Sequence, residues 1–315
     1  MLDIIDILSL SGIKCCQESL SVSTLTGGTS NIIYHVKIST GLQLLFRVYG
    51  SGSEKLIDRS QELETMKLLE KYGLCASVLA QFENGIVYHY INGTSISKST
   101  ILTQKMTHLV ATKLAKIHQI PIENKQDILW STLWNFIGLV PEFEDNSNGN
   151  FKRKEDLVTE YSFLKTMLED CKSPLVFCHM DLNLPNILYD GSDVHFIDFE
   201  YSGCSYAAYD IANHFIEFVV LDEQQNLDYI KWYPSKEYQL SWIRIYLAAM
   251  PDPWSEEDVL AIFDLVQKFV LCSHLMWAAW SLVQVTISTI DFDFHNFAQQ
   301  RLKEYSRMKN IVIAN

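Results

Sequence analysis

Along the first ninety residues, apolar and polar positions alternate with the two-residue period of half-buried strands. Residues 32–38 (IIYHVKI) and 42–48 (LQLLFRV) are rich in β-branched and aromatic side chains, and Ser39-Thr40-Gly41 between them predicts a hairpin. A flexible GSGSEK segment follows at 50–55. The period then lengthens: Leu63, Met66, Leu68 and Leu69 recur at three- and four-residue steps, which predicts a helix over about 56–72, with Gly73 at its C-cap. Two short strands near 77–82 and 86–91 flank Asn84-Gly85, a second hairpin signal. The first part of the chain thus reads strand, strand, helix, strand, strand.

The pattern changes after Tyr90-Ile91-Asn92-Gly93. Leu102, Met106, Leu109, Val110, Leu114 and Ile117 have helical spacing over about 100–118. A polar loop, EFEDNSNGN, occupies 142–150, and a helix is predicted at about 153–170. Residues 174–200 hold two short strands around a loop, and helices are predicted near 236–249, 255–287 and 292–308. A small β-rich lobe over 1–92 followed by a larger helical lobe over 93–315 is an α+β arrangement, and 315 residues suit two such bodies.

Charge narrows the function classes. With 25 basic and 38 acidic residues the chain carries a net charge of −13, so it lacks the basic footprint that nucleic acid or an anionic membrane surface requires. Any anionic ligand needs a local device such as a metal ion, a backbone nest or a few placed cations. The longest apolar run, Phe269 to Val283, is interrupted by Ser273, His274 and Ser281 and predicts a buried core helix rather than a membrane span. Seven scattered cysteines without a C-x-x-C pair fit a reducing compartment. The N-terminal MLDIIDILSL lacks the basic start of a signal peptide, so a cytoplasmic location is expected.

The segment with the clearest chemistry runs from His179 to Glu200 (HMDLNLPNILYDGSDVHFIDFE). Asp181 follows His179 by two positions, Asn186 follows Asp181 by five, and Asp198 closes the apolar stretch Val194, Phe196, Ile197. Phosphoryl transfer from a nucleotide needs such a set: one carboxylate to accept a hydroxyl proton, and an amide oxygen and a second carboxylate to hold Mg²⁺ against the phosphates. A lone D-x-x-x-x-N is a weak signal, because Asp and Asn are common turn formers. The preceding His, the apolar run after Asn186 and the following Asp strengthen it together.

HMDLNLPNIL, IDFEYSG, YDIANHFIEF and SHLMWAAWSLVQ, with GGTSN at 27–31, RVYG at 47–50 and DFDF at 291–294, resemble the choline/ethanolamine kinase family over nearly the whole chain. The resemblance implies a protein-kinase-like two-lobe fold, with a nucleotide-binding N-terminal lobe and a catalytic, amine-binding C-terminal lobe. It implies Asp181 as catalytic base and Asn186 and Asp198 as Mg²⁺ ligands. ATP would be held by Gly28, Thr29, Ser30 and Asn31, whose backbone N–H groups can approach phosphate oxygens, and by Arg47 partnered by Glu62. Without the resemblance, Arg47 and Glu62 read as a solvated surface pair. Glu200, Tyr201, Glu217, Trp277, Trp280 and Asp291 match positions that line the family's amino-alcohol pocket, where aromatic faces and carboxylates suit a cationic amine. Spacing alone would assign Trp277 and Trp280 to core packing. Met180 stands where the family usually has Asn and reads as a spacer. Asn183 stands where many choline kinases have Gln. His118 reads as structural.

NHFIEF, STIDFDF and FENGIVYHYINGT lean toward ethanolamine kinases, so the implied activity is phosphorylation of ethanolamine, the first step of the CDP-ethanolamine route to phosphatidylethanolamine. Choline kinase, a dual choline/ethanolamine kinase and a catalytically inactive kinase-fold binding module remain as alternatives. The intact Asp181, Asn186 and Asp198 set speaks against the last. The expected partner is a small amino alcohol, with neither nucleic acid nor stable membrane insertion, and with room for a homodimer.

Overall fold

The computed structural model describes residues 4–10, 12–25, 31–50, 56–123, 125–143, 151 and 153–314. The chain divides into two units, Met1–Thr94 and Ser95–Asn315.

The first unit begins with helix α1 (Ile4–Leu10), followed by strands β1 (Leu20–Leu25), β2 (Asn31–Ile38) and β3 (Gln43–Tyr49). Helix α2 (Arg59–Lys71) leads to β4 (Val78–Phe82) and β5 (Gly85–His89). The strands form an antiparallel sheet ordered β1-β2-β3-β5-β4. Alternation along β2 and β3 sends Val36, Ile38, Leu44 and Phe46 into one core with Leu8 and Val87. The first predicted hairpin is present, with Asn31 opposite Tyr49 and Lys37 opposite Gln43. Helix α2 starts at Asp58, whose carboxylate caps Ser60 and Gln61 N–H, and ends at Gly73 with φ of 67°. Gly85 is required for a different reason: a Cβ there would lie 2.2 Å from the Arg47 carbonyl oxygen. Strand β1 has no counterpart in the predicted order. Five of its six residues are exposed, so no buried face marked it in the sequence.

The chain leaves this unit through β6 (Thr94–Ser95) and enters α3 (Lys98–Ile101) and α4 (Gln104–His118). The helix predicted over 100–118 is therefore two helices, because Thr103 adopts an extended backbone and caps α4 through Met106 N–H. Helices α5 (Leu129–Leu139) and α6 (Lys154–Met167) follow, then β7 (Leu175–Cys178), β8 (Ile187–Tyr189), β9 (Val194–Phe196) and β10 (Gly203–Tyr206). Strands β8 and β9 form one antiparallel hairpin and β7 and β10 another pair. The 174–200 segment thus holds three strands rather than two. Helices α7 (Ala207–Ile216), α8 (Tyr229–Trp232), α9 (Lys236–Ala248), α10 (Glu256–Ile287) and α11 (Phe294–Ala314) complete the chain. The polar loop at 142–150 lies largely outside the described residues.

Helix α10 is long and apolar enough to cross a membrane by length and composition. Its stretch from Phe269 to Ala279 is instead buried without interruption, packed among α5, α7, α9 and α11. The second unit is built around this helix, and α7, all ten of whose residues are buried, lies against it. Antiparallel β structure followed by helical structure is the α+β class that the periodicity predicts.

Candidate active site

The loop between β7 and β8 carries Asp181 and Asn186, and its shape is fixed from below. The backbone N–H groups of His179 and Met180 donate to the two carboxylate oxygens of Asp210 on α7, both at 2.8 Å. His118 Nε2 meets the same carboxylate at 3.0 Å, and its Nδ1 meets the Tyr246 hydroxyl at 2.7 Å. His179 donates from Nε2 to the Ile197 carbonyl at 3.0 Å, and the Ser202 hydroxyl donates to the His179 carbonyl at 3.0 Å. Burial lowers the His179 pKa, so the ring is neutral, with Nδ1 left to accept the Asp181 N–H at 3.3 Å. Further along, Asn183 caps the turn by accepting Asn186 N–H at 3.0 Å. The Ile197 N–H donates to the Asn186 carbonyl at 3.0 Å, joining the loop to the segment that carries Asp198.

Within this frame the Asp181 carboxylate receives Asn183 Nδ2 at 3.2 Å and Asn186 Nδ2 at 3.3 Å. Although Asp181 keeps partial solvent exposure, burial pushes its pKa well above the usual carboxylate range, and the nearby charges of Glu217, Asp198 and Glu200 push it further. Asn186 Nδ2 also donates to the Asp181 carbonyl at 2.9 Å, so the loop uses the nitrogen of this amide and leaves Oδ1 as its metal-type donor. Amide and carboxylate oxygens with an excess of negative charge fit a hard dication such as Mg²⁺.

Met180 and Asp198 both take left-handed backbone conformations, with φ of 70° and 64°. Non-glycine residues there cost about 1–3 kcal/mol unless their surroundings enforce it. Here the two Asp210 bonds hold Met180 in place. Asn tolerates this conformation better than Met, and Met180 is buried beneath the loop. Asp198 lies two residues beyond β9 rather than on it.

The second unit also gathers the aromatic set. Tyr201 lies edge-on to Trp277 with ring centres 5.3 Å apart, Trp277 to Trp280 at 5.8 Å, and Trp280 to Phe294 at 5.9 Å. Both indole N–H groups are engaged: Trp277 donates to Asn213 Oδ1 at 2.7 Å and Trp280 to the Tyr201 hydroxyl at 2.8 Å. Burial, Glu200 and Asp181 push the Tyr201 phenol up, so it remains neutral. Trp277 is buried as spacing alone suggested, whereas Trp280 keeps partial exposure. Glu217 is the C-cap of α7 and pairs with Arg301 of α11. Asp291 is exposed in the turn between α10 and α11.

In the first unit, Arg47 and Glu62 form an ion pair that is 4% and 2% exposed, which overturns the solvated-pair alternative. Arg59 adds a second cation, bonding Glu62 and Asn31 at 3.0 Å each. Gly28, Thr29 and Ser30 lie outside the described residues.

Sequence reasoning missed Asp210, Arg59, Asn213 and Arg301. Asp210 had one legible signal, a carboxylate flanked by Ala207, Ala208, Tyr209, Ile211 and Ala212. Arg59 stands three residues before Glu62. Asn213 and Arg301 meet their partners across 64 and 84 positions and left no local signal.

A β-rich unit before a helical unit, with Asp181, Asn186 and Asp198 on one braced loop system, defines a phosphotransferase of the protein-kinase-like fold. A family model described as choline/ethanolamine kinase matches residues 22–306. Ethanolamine kinase 2 of Homo sapiens is 36% identical over 300 residues, covering 93% of this chain and 77% of that protein. Ethanolamine kinase 1 of Mus musculus is 33% identical over 316 residues, covering 94% and 86%. Among solved structures, an ethanolamine kinase of Plasmodium vivax superimposes with a TM-score of 0.80 at 28% identity, over 92% of this chain and 83% of that one. A choline kinase of Cryptosporidium parvum gives 0.79 at 22% identity, over 95% and 92%, a likeness of fold. The chain belongs to the choline/ethanolamine kinase family.

Proposed function

We propose that the protein transfers the γ-phosphoryl group of ATP to ethanolamine in the cytoplasm. The observation that carries this reading is the placement in one unit of a carboxylate-surrounded Asp181 and an aromatic set whose indole N–H groups are already used. Ring faces and carboxylates remain to meet an ammonium, and Asp181 to meet a hydroxyl.

Asp181 orients the substrate hydroxyl and accepts its proton as the oxygen bonds to the γ-phosphorus and the bond to the β-phosphate oxygen breaks. Its raised proton affinity suits a group that must take a proton. Asn186 and Asp198 would hold Mg²⁺, which supplies charge neutralisation for the phosphates. In the first unit, Arg47 is assigned to ATP phosphate, with Glu62 and Arg59 fixing its position, and the 27–31 segment is assigned to phosphate approach. Tyr201, Trp277 and Trp280 enclose the amine end, and Glu200 and Asp291 provide counter-charge.

A coupled ADP-release assay with MgATP and ethanolamine, choline or no acceptor tests the proposal. Ethanolamine-dependent ADP release is expected, and release no higher than the acceptor-free rate with either amine would sink it. The aromatic set favours choline as a secondary substrate.

A further inference from the structure

The C-terminal end of α6 and the first half of α10 border a cavity of about 390 Å³, none of whose lining residues belongs to the sites assigned above. Leu168 and Leu265 give it an apolar wall. Four charged side chains line it as well: Asp170 and Lys172 from the segment after α6, and Asp264 and Lys268 from α10. Asp264 and Lys268 stand one helical turn apart, a spacing at which opposite charges commonly pair. They do not pair here, and none of the four makes an ion pair or side-chain hydrogen bond among the described residues. Cys171, half-buried in the same wall, senses the Lys268 charge.

Two unpaired charges of each sign leave the cavity with no net charge. A simple ion gains from one pair and is repelled by the other. A small molecule with both an ammonium and an anionic group satisfies both, and a concave, partly apolar wall suits a ligand of that size. We propose that this cavity binds a small zwitterion, the phosphate monoester of an amino alcohol, with Lys172 and Lys268 on its phosphate and Asp170 and Asp264 on its ammonium. Such a molecule is the product of the reaction proposed above, so its choice rests on that reading. Bound there, it would join α6 to α10, the helix that also carries Trp277 and Trp280.

Alkylation of Cys171 reports on this cavity and not on the catalytic site, because no residue of the catalytic loop or aromatic set lines it. The full chain is labelled with iodoacetamide, and the peptides carrying Cys171 and the exposed Cys16 are followed by mass spectrometry. Burial pushes the Cys171 thiol up, so labelling is run at pH about 8.5, where a primary amine is still protonated. Exposed ion pairs are individually weak. An affinity near ~1 mM is therefore expected, and each probe is used at ~10 mM. Phosphoethanolamine is expected to slow Cys171 labelling about 10-fold and to leave Cys16 unchanged. Inorganic phosphate alone and ethanolamine alone are each expected to slow it by less than about 2-fold. D264N and K268M, outside the catalytic and amine sites, are expected to lose most of the protection while keeping the parental kcat. An unchanged Cys171 rate in phosphoethanolamine overturns the proposal. Equal protection by phosphate or ethanolamine alone overturns it too, as does protection that survives in both variants. A parental protein that releases no ADP with ethanolamine overturns the proposed activity, whereas Cys171 protection still decides the cavity.

Discussion

Two aspartates of the second unit, Asp181 and Asp210, occupy opposite electrostatic situations. Burial opposes the charge of both. At Asp210 that opposition loses: the His118 bond and the His179 N–H hold the carboxyl below its ordinary pKa. At Asp181 the amides of Asn183 and Asn186 are the only side-chain donors among the described residues, three carboxylates add like charge, and its pKa rises. A carboxylate whose needs are met by the fold serves as a fixing point. One surrounded by like charge awaits a cation or a proton, and chemistry belongs there.

The largest expected effect separates the two directly. Asp181→Asn removes the proton acceptor and should lower kcat by about 10²–10⁴-fold, or ~3–5 kcal/mol of barrier. Its folding stability should not fall. A folded pKa above the unfolded one stabilises the protein at low pH, and that stabilisation is lost as pH rises through the raised value. At neutral pH the substitution therefore removes a burden, and its urea midpoint should equal or exceed the parental one. Comparable kcat would end the assignment of Asp181 as base.

Asp210→Ala should do the reverse, with stability lost first. It strands two backbone N–H groups and His118 inside the protein. Breaking such a buried pair costs about 3–5 kcal/mol, read as a lowered urea midpoint. An Asp210→Ala protein as stable as its parent but inactive would erase the distinction between the two carboxylates.

How much of this was legible in the residues follows from where each signal lies. Hairpins, Gly73 and the Phe269–Val283 helix depend on neighbours a few positions away, and their patterns were visible. Asp181, Asn186 and Asp198 are within eighteen positions of one another, so their spacing could be read. β1 escaped because an exposed edge strand has no apolar face to declare it. The bonds between Asp210 and His179 span 31 positions and those between Arg301 and Glu217 span 84. Only the packing of α7 against its neighbours shows which buried charges are satisfied.

A third prediction extends the contrast to pH. His214, beside Asn213 on α7, donates from Nδ1 to the Leu182 carbonyl at 3.1 Å, one residue past Asp181. Burial depresses its pKa from 6.5 to about 4. A histidine with a lowered folded pKa contributes stability that is complete above pH 6.5 and is lost as pH falls toward about 4. The shift corresponds to about 3 kcal/mol. His214→Gln keeps a donor without a titratable ring, so its urea midpoint should change less than the parental one over that range. Parallel pH profiles for the two proteins would show that His214 does not titrate on unfolding.

The smallest effect concerns the amine, where satisfied and unsatisfied groups again divide the work. A quaternary ammonium has no N–H to donate and depends on open aromatic faces, whereas a primary ammonium has three donors and seeks carboxylates. Tyr201, Trp277 and Trp280 supply faces. By the resemblance, Phe294 and Phe297 are expected to match Tyr positions of choline kinases, and Asp291 a Glu position. Phe297 lies against the Arg301 guanidinium, so that face is already taken by a cation of the protein. Phe294 is buried against Trp280 and Phe292 and brings no hydroxyl. The cage is therefore thinned while carboxylates remain, and ethanolamine should exceed choline in kcat/KM by at least ~10-fold, about 1.4 kcal/mol of differential transition-state binding. Phe294→Tyr and Phe297→Tyr should each narrow that ratio, the second less because the ring stays under Arg301. Specificity constants for both amines at saturating MgATP measure this, and an equal or reversed ratio in the parental protein would make choline the preferred acceptor.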